Sequence, residues 1–563
     1  MSDTGQSDAY FGIDLGTTYS VVAYMDEYGR PAVVRNAASG KDTTPSVVYF
    51  EGPGNVVVGT QAKNVAMMYP DRVVERVKRS MGRELSWEFD GQSHTPESIS
   101  ALILKQLAQD ASAETGREVR DVVITVPAYF GMLERDATRN AGRIAGLNVI
   151  GIVPEPVAAA LQYDVTDDGK DRTVLVYDLG GGTFDTTVIR IAAKSIEVLC
   201  TDGDQELGGV DWDDRLTEYV LEEFISKAAP DDDPREDRQF IQDLRRQVEE
   251  LKQNLSAANS RSFPIRFGAA VGMVEVTRET FERITRDLLE STLRYTDRTL
   301  DKLAAKLGVT DPARHIDDVL LVGGSSRMPA VRAALTEKYG WDPKLHDPDL
   351  AVAKGAAKFA LSRAVWEWDG TRDNTSTPPT EEERREAVAA LAQRTGVDAD
   401  ALARLAEKEI TNVLPKAFGV RLVDTDDPTW QSDPERYSYI EHLVHADEKL
   451  PSGIRPLEAG TVVDGQTEVE IALFEQAGGE ESRDLDANKQ VDGGTSSITG
   501  LPHLPRNSAI NIAMQVDSEG LLTVTAREPV SGRDLTINVR VSVMSEREVA
   551  EAQSAVSAIA VRA

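Results

Sequence analysis

Residues 12–18 read GIDLGTT and residues 176–183 read VYDLGGGT. In each, a short apolar run ends on an aspartate, Asp14 or Asp178, and enters a turn rich in Gly and Thr. The chain then doubles back into another strand. Two copies of one supersecondary unit predict two similar lobes that face each other. A ligand would sit in the cleft between them.

Around these copies, strand and helix signals alternate. Residues 10–14 and 20–24 read as strands, as do the β-branched runs DVVITV at 121–126, TVLVY at 173–177 and DDVLLV at 317–322. Residues 135–147 carry Ala, Ile and Leu at helical spacing, with Gly146 near the end. Such alternation predicts an α/β class with mixed sheets. Residues 366–379 are polar and turn-rich, as in a linker. Thr380 and Glu383 then form a capping box before an Ala- and Leu-rich helix that Gly396 ends, and Asp398 or Asp400 caps a second helix through Glu409. From Val413 the pattern has period 2, in residues 465–474, 509–516 and 521–526, with a turn at 517–520. Short strands between Gly-, Asp- and Pro-rich turns predict a β-sandwich. Residues 545–561 read as one short Ala-rich helix.

At 563 residues the chain exceeds what one core can hold. Its 62 basic and 94 acidic side chains give a formal charge of −32. A nucleic-acid surface needs clustered Lys and Arg, so this balance argues against one. Cys200 is the only cysteine, which excludes an intramolecular disulfide and a thiolate metal cluster. The polar, acidic start is unlike a secretory signal, and no apolar run approaches the length of about 20 residues that a membrane helix needs. A cytoplasmic protein without membrane partners is the expectation.

A polyphosphate in a cleft needs backbone N–H groups at close range, a metal and a positioned water. Gly180, Gly181 and Gly182 lack Cβ, so their turn can bring amides onto phosphate oxygens. Thr17, Thr18 and Thr183 add hydroxyls at matching places in the two copies. Asp14 and Asp178 would face each other across the cleft. Mg²⁺ sheds water reluctantly, and two carboxylates holding its water shell suit it.

FGIDLGTTYS, VPAYF, PEPVAAALQY, VYDLGGGTFD, LGGVDWD and LVGGSSRMP occur here in the order seen in the seventy-kilodalton heat-shock chaperones, and the resemblance spans residues 10–365. It implies an actin-like (ribonuclease-H-like) two-lobed ATPase domain that uses ATP/ADP and Mg²⁺. Actin and sugar kinases share that fold, but LVGGSSRMP and VPEPVAAA favour the chaperone branch. The resemblance implies that Asp14, Asp178 and Asp185 surround Mg²⁺ and the attacking water, with Thr183 beside them. Lys78 would orient that water and Glu155 would lie near the metal. Gly16, Thr17, Thr18, Tyr19, Gly180, Gly181 and Gly182 would contact the nucleotide, with Gly208, Gly209, Gly323, Gly324, Ser325, Arg327 and Asp349 along the phosphate and adenosine side. Glu249, Lys252 and Ser256 match the pattern that contacts ribose and adenine. Gln253 stands where some relatives carry a stacking Arg. Pro127, Arg135 and Pro156 match a proline-centred relay toward the second domain.

Residues 412–543 resemble the family's peptide-binding β-domain through NVLPKAFGVRL, GQTEVEIALFEQ and LPHLPRNSAINIAMQVDSEGLLTVTA. Val420, Val469 and Ile471 fall where relatives line an apolar peptide groove. The implied activity is that of an ATP-dependent chaperone, with unfolded or extended polypeptide segments as clients and J-domain proteins and nucleotide exchange factors as co-chaperones. The alternative is a nucleotide-dependent scaffold for one dedicated protein partner. Three departures stand out. Residues 366–411 replace the family's short acidic-then-leucine linker, so interdomain coupling is expected to run differently or not at all. Residues 544–563 are too short for the family's helical lid. The region between Met81 and Asp121 is also shorter than usual.

Overall fold

The computed structural model describes residues 9–163, 171–345, 347–366, 380–427, 429–517, 520–539 and 544–563. The expected linker after Trp366 and half of the turn at 517–520 lie outside these residues.

Lobe I is built on a sheet with strands in the order Asn148–Pro154, Asp121–Val126, Tyr10–Asp14, Tyr19–Met25 and Pro31–Val33. Lobe II repeats it with Lys344–Leu345, Asp318–Val322, Arg172–Leu179, Phe184–Ile191 and Ser195–Asp204. The directions also repeat: the first hairpin of each lobe is antiparallel, and the strands beyond its first member run parallel to it. The helix predicted over 135–147 is Met132–Ile144, with Gly131 at its N-cap in extended geometry.

Two Ala-rich helices, Glu155–Tyr163 and Ala351–Trp366, cross between the lobes within one buried cluster. Their approach depends on Gly355, where a Cβ would stand 1.7 Å from Ala158 O. Such a crossing tolerates only small residues, which explains the composition of both segments.

The 380–406 insert folds against lobe I. Thr380 caps helix Glu381–Thr395 in a full capping box, Gly396 ends it left-handed, and Asp398 caps Ala399–Ala406. Val388, Leu391 and Leu402 are buried with Val21, Met25 and Leu361 of the lobe. The second helix ends short of the predicted Glu409. Glu409–Thr411 instead forms a sixth, parallel strand on the outer edge of lobe II, with Ile410 opposite Ile196. Edge backbone pairing overrides the helical pattern there.

The C-terminal part is a sandwich of two four-stranded antiparallel sheets. One holds Ser438–Val444, Phe418–Val423, Val469–Gln476 and Asn488–Ile498. The other holds Arg455–Gly460, Ala509–Val516, Leu522–Arg527 and Asp534–Val539. The strand predicted from residue 465 begins only at Val469. Val420 and Ile471 are buried in the sandwich core and Val469 sits at its margin. Met132 and Leu133 of lobe I join that core cluster, Met132 N–H donates to Glu475 Oε1 at 3.3 Å, and Thr201 N–H donates to Asp447 Oδ1 at 3.2 Å. The sandwich is therefore docked on both lobes.

The chain end departs from the single predicted helix. Helix Glu546–Ala558, capped by Ser545, lies on the outer part of lobe I, and Ala560–Arg562 adds a parallel strand to Asn55–Val58 there. No helix among the described residues is long and apolar enough to cross a membrane.

Candidate functional site

The duplicated hairpins bring their turns together in the cleft, which encloses about 590 Å³. A Cβ on Gly181 would meet Thr18 Oγ1 at 2.2 Å, and one on Gly182 would meet Thr17 Cγ2 at 2.3 Å. Only glycine permits that approach of one lobe to the other. Asp14, Asp178, Lys78, Glu155 and Thr183 all line the cleft. Asp185 lies directly opposite Asp178 in the second hairpin, where the first hairpin has Val21 opposite Asp14.

Lys78 is the cation among these acids. Its Nζ stands 2.5 Å from Glu155 Oε1, and both side chains are buried. Burial works to lower the Lys78 ammonium, but Glu155 and Asp14 outweigh it and hold the group charged. Burial, then Glu155, push Asp14 up to about 7, against the pull of Lys78 and of the hydrogen bond donated by Thr125 at 3.0 Å. Asp178 and Asp185 are raised well above the usual carboxylate range, by burial first and by neighbouring acids second. Asp185 Oδ1 has no hydrogen-bond partner among the described residues. Like charges this close resist ionisation unless a cation joins them. Among the described residues no three acids gather closely enough to ligate a metal directly, so a divalent cation would be held here by Asp14 and Asp178 through its waters.

The remaining predicted residues divide by place. Gly16, Thr17, Thr18, Tyr19, Gly180, Gly181, Gly209, Glu249, Lys252, Ser256, Gly323, Gly324, Ser325, Arg327 and Asp349 line the same cleft. Gly182 and Gly208 touch each other just behind it, where a Cβ on Gly208 would be 2.4 Å from Gly182 C. Lys252 is tied to Asp213 and to Gly209 O, each at 2.8 Å, and Arg327 to Asp349 at 2.5 Å. Glu249 is held across the cleft by Lys63 at 2.6 Å and by the Tyr19 hydroxyl at 3.1 Å.

Pro127, Arg135 and Pro156 lie outside the cleft. Arg135 donates to Phe130 O and Ala128 O, bracing the loop after Pro127 on the way to the docked sandwich. Pro156 follows Glu155 at the start of its helix. Sequence reasoning missed Lys63, Arg79 and Asp213. Their only signal was position, Arg79 next to Lys78 and Asp213 closing LGGVDWD; Lys63 had none.

The profile of the family described as Hsp70 protein matches residues 10–90 and 85–362. The chain is 36% identical over 538 residues to the chaperone protein DnaK of Thermotoga petrophila and to that of Thermotoga maritima, covering 94% of this chain and 80% of each relative. It is 35% identical over 537 residues to the chaperone protein DnaK of Thermosipho melanesiensis, covering 94% and 79%. With its two mirrored lobes, its glycine-lined cleft and its appended sandwich, the chain belongs to the Hsp70 family of ATP-hydrolysing chaperones.

Proposed function

We propose that this ATP-dependent chaperone holds MgATP between Asp14 and Asp178 and couples its hydrolysis to capture of extended polypeptide by the sandwich. Four parts carry the reading: residues 10–365 as ATPase, 366–411 as linker and brace, 412–543 as client domain and 544–563 as a terminal segment. The observation that carries it is the buried Lys78–Glu155 pair set among Asp14, Asp178 and Asp185 at the meeting of the two hairpin turns.

Mg²⁺, when bound, would neutralise phosphate charge and order water between the two aspartates. The chain's own residues do the rest. The Gly181 amide and the hydroxyls of Thr17, Thr18 and Thr183 would face the phosphates, while the Gly180 N–H closes the turn on Thr183 O at 3.1 Å. Lys78, kept charged by Glu155, orients the nucleophile, and Asp185, paired in register with Asp178 behind the residues that line the cleft, adds negative charge beside it. Glu249, Lys252, Ser256, Arg327 and Asp349 form the adenosine side. Arg135 and the loop between Pro127 and Met132 pass a change in the cleft to Glu475 of the sandwich.

Clients are apolar extended segments, and Val420, Val469 and Ile471, packed within the sandwich here, would have to be uncovered to line a groove. J-domain and exchange-factor partners and a cytoplasmic location go with this reading. Titration calorimetry with MgATP tests it: absence of heat with folded protein overturns the site. An apolar extended peptide should then raise ATP turnover, and no response would remove the client assignment.

A further inference from the structure

The turn of the second hairpin has three glycine carbonyls, and each is held by a donor behind it. Gly180 O accepts from Gly209 N–H at 2.9 Å and Gly181 O from Val210 N–H at 2.7 Å. Gly182 O accepts from Arg79 Nε at 2.8 Å. A peptide unit is planar, so pinning the carbonyl of residue 182 also aims the N–H of Thr183. The first two donors belong to the same lobe as the turn. The third reaches across from lobe I.

Arg79 does two things with one planar group. Beside its bond to Gly182 O, its Nη2 lies 2.6 Å from Asp211 Oδ2, and that oxygen also accepts from Gly208 N–H at 2.7 Å. The guanidinium thus joins the glycine turn to the start of helix Gly209–Ala228. It follows Lys78 directly, within the short helical turn Val77–Ser80. Arg76 and Arg83 also cross between lobes, to Asp214 at 3.2 Å and Glu206 at 2.9 Å, but neither touches the turn. The guanidinium bonds the carbonyl and the carboxylate from different nitrogens of one rigid plane, whereas an ammonium is a single donor point that would have to sit within reach of both.

We propose that Arg79 is a positioning residue for hydrolysis. With the lobes closed, it sets the peptide between Gly182 and Thr183 against the segment that bears Lys78, so the turn and the lysine reach working geometry together. With the lobes apart, that peptide loses the bond from Arg79. The proposal rests on the site reading given for Lys78 and the glycine turn.

The test uses the full chain carrying Arg79→Met or Arg79→Lys. In nucleotide-free protein, amide exchange at 181–183 should quicken by about tenfold or more in Arg79→Met, since one hold on the turn is gone. MgATP affinity by calorimetry should change less than about threefold, while single-turnover hydrolysis falls by about tenfold or more. Arg79→Lys, which keeps the charge at this interface, should not restore the rate. Unchanged exchange, parental single-turnover hydrolysis, rescue by lysine, or a loss of affinity equal to the loss of rate would each overturn the proposal. Lys78→Ala separates it from the reading beneath it. If that variant hydrolyses normally, the site reading fails; if it is inactive while Arg79→Met is normal, only the Arg79 assignment fails.

Discussion

Lys63 Nζ and Glu249 Oε2 meet at 2.6 Å from opposite lobes, one on helix Thr60–Val65 and the other on helix Arg238–Ala257. The Tyr19 hydroxyl accepts from Lys63 at 3.0 Å and donates to Glu249 at 3.1 Å, so lobe I hydrogen-bonds Glu249 through two side chains. Burial pushes Glu249 up, but Lys63 outweighs it and the carboxylate stays below its ordinary range. Lobe opening has to break this pair. A partly exposed ion pair is worth about 1 kcal/mol, or about a fivefold change in rate when it is lost in the opening step. Lys63→Ala should therefore speed release of a fluorescent adenine nucleotide by about that factor in a stopped-flow chase. An unchanged release rate would show that the pair does not gate the cleft.

The Lys78–Glu155 pair gives a prediction in two parts. Removing one partner of a buried pair leaves an uncompensated charge and costs about 3–5 kcal/mol. Lys78→Ala should lower the melting temperature of nucleotide-free protein, retain ATP binding and lose hydrolysis. Adding Glu155→Gln should recover much of the melting temperature and none of the hydrolysis. Thermal melts, calorimetry and single-turnover assays on the two variants read this out; loss of ATP binding in Lys78→Ala would show that the lysine has another role.

Asp14→Asn keeps the shape of the first turn and removes one of the two facing carboxylates. Hydrolysis should fall well over tenfold, which is about 1.4 kcal/mol or more of transition-state stabilisation. The melting temperature should hold or rise, because Asp14 is one of the acids that raise Asp178. Near-normal turnover in a steady-state ATPase assay would defeat the metal-site assignment.

Much of this arrangement is legible in the chain, and the reasons are local. The hairpins announce themselves because a β-branched strand, a chain-reversing Gly-Thr turn and an aspartate are all short-range signals, and they occur twice. The insert helices are equally readable, since Thr380 with Glu383 and Gly396 are capping chemistry written in sequence. Glu409–Thr411 is not, because its partner strand lies some two hundred residues earlier and an edge pairing leaves no periodicity. The fate of residues 546–562 is hidden for the same reason: Val549 and Val556 show that a helix has an apolar face but not which surface covers it. Lys63 and Arg79 are ordinary surface charges until the opposite lobe is placed against them.

Glu475 lies at the docking face of the sandwich, beside Glu134 and Lys416, and is buried. Burial raises its carboxyl first, Lys416 opposes this and Glu134 adds to it, and together they move it from 4.5 to about 7. A docked-state pKa above the free value means that docking takes up a proton. The contribution is full below about pH 4.5 and is lost as pH rises through 7, amounting to about 1.4 kcal/mol between pH 6 and 8. Docking should therefore loosen over that interval, seen as faster amide exchange in Met132–Ile144, and Glu475→Gln should abolish the dependence. Tighter docking at pH 8 than at pH 6 in the parent would reverse the sign and sink the assignment.

The terminal segment follows the sandwich in the chain and is anchored on lobe I. Val549, Val556 and Ile559 are buried in the core of lobe I, Arg143 pairs with Glu546 at 2.5 Å, and Arg562 pairs with Glu51. Lys105 Nζ donates to Val556 O at 2.9 Å and Ile559 O at 2.8 Å where the helix ends, beside the C-cap bond from Ile559 N–H to Val556 O. Each buried valine contributes about 1.5–3 kcal/mol, so Val549→Asp with Val556→Asp should release the whole segment. Ala560–Arg562 would then leave strand Asn55–Val58 as an open edge, because its backbone is paired in parallel register with the chain end. Deletion after residue 544 should do the same without introducing charge. The expected result is faster amide exchange at 55–58 and easier proteolysis of the sandwich in both variants, with ATP binding in the distant cleft kept. If exchange at 55–58 is unchanged by the deletion, the chain end contributes no hold on lobe I and the sandwich is secured by its contacts through Met132, Asp447 and Glu409–Thr411.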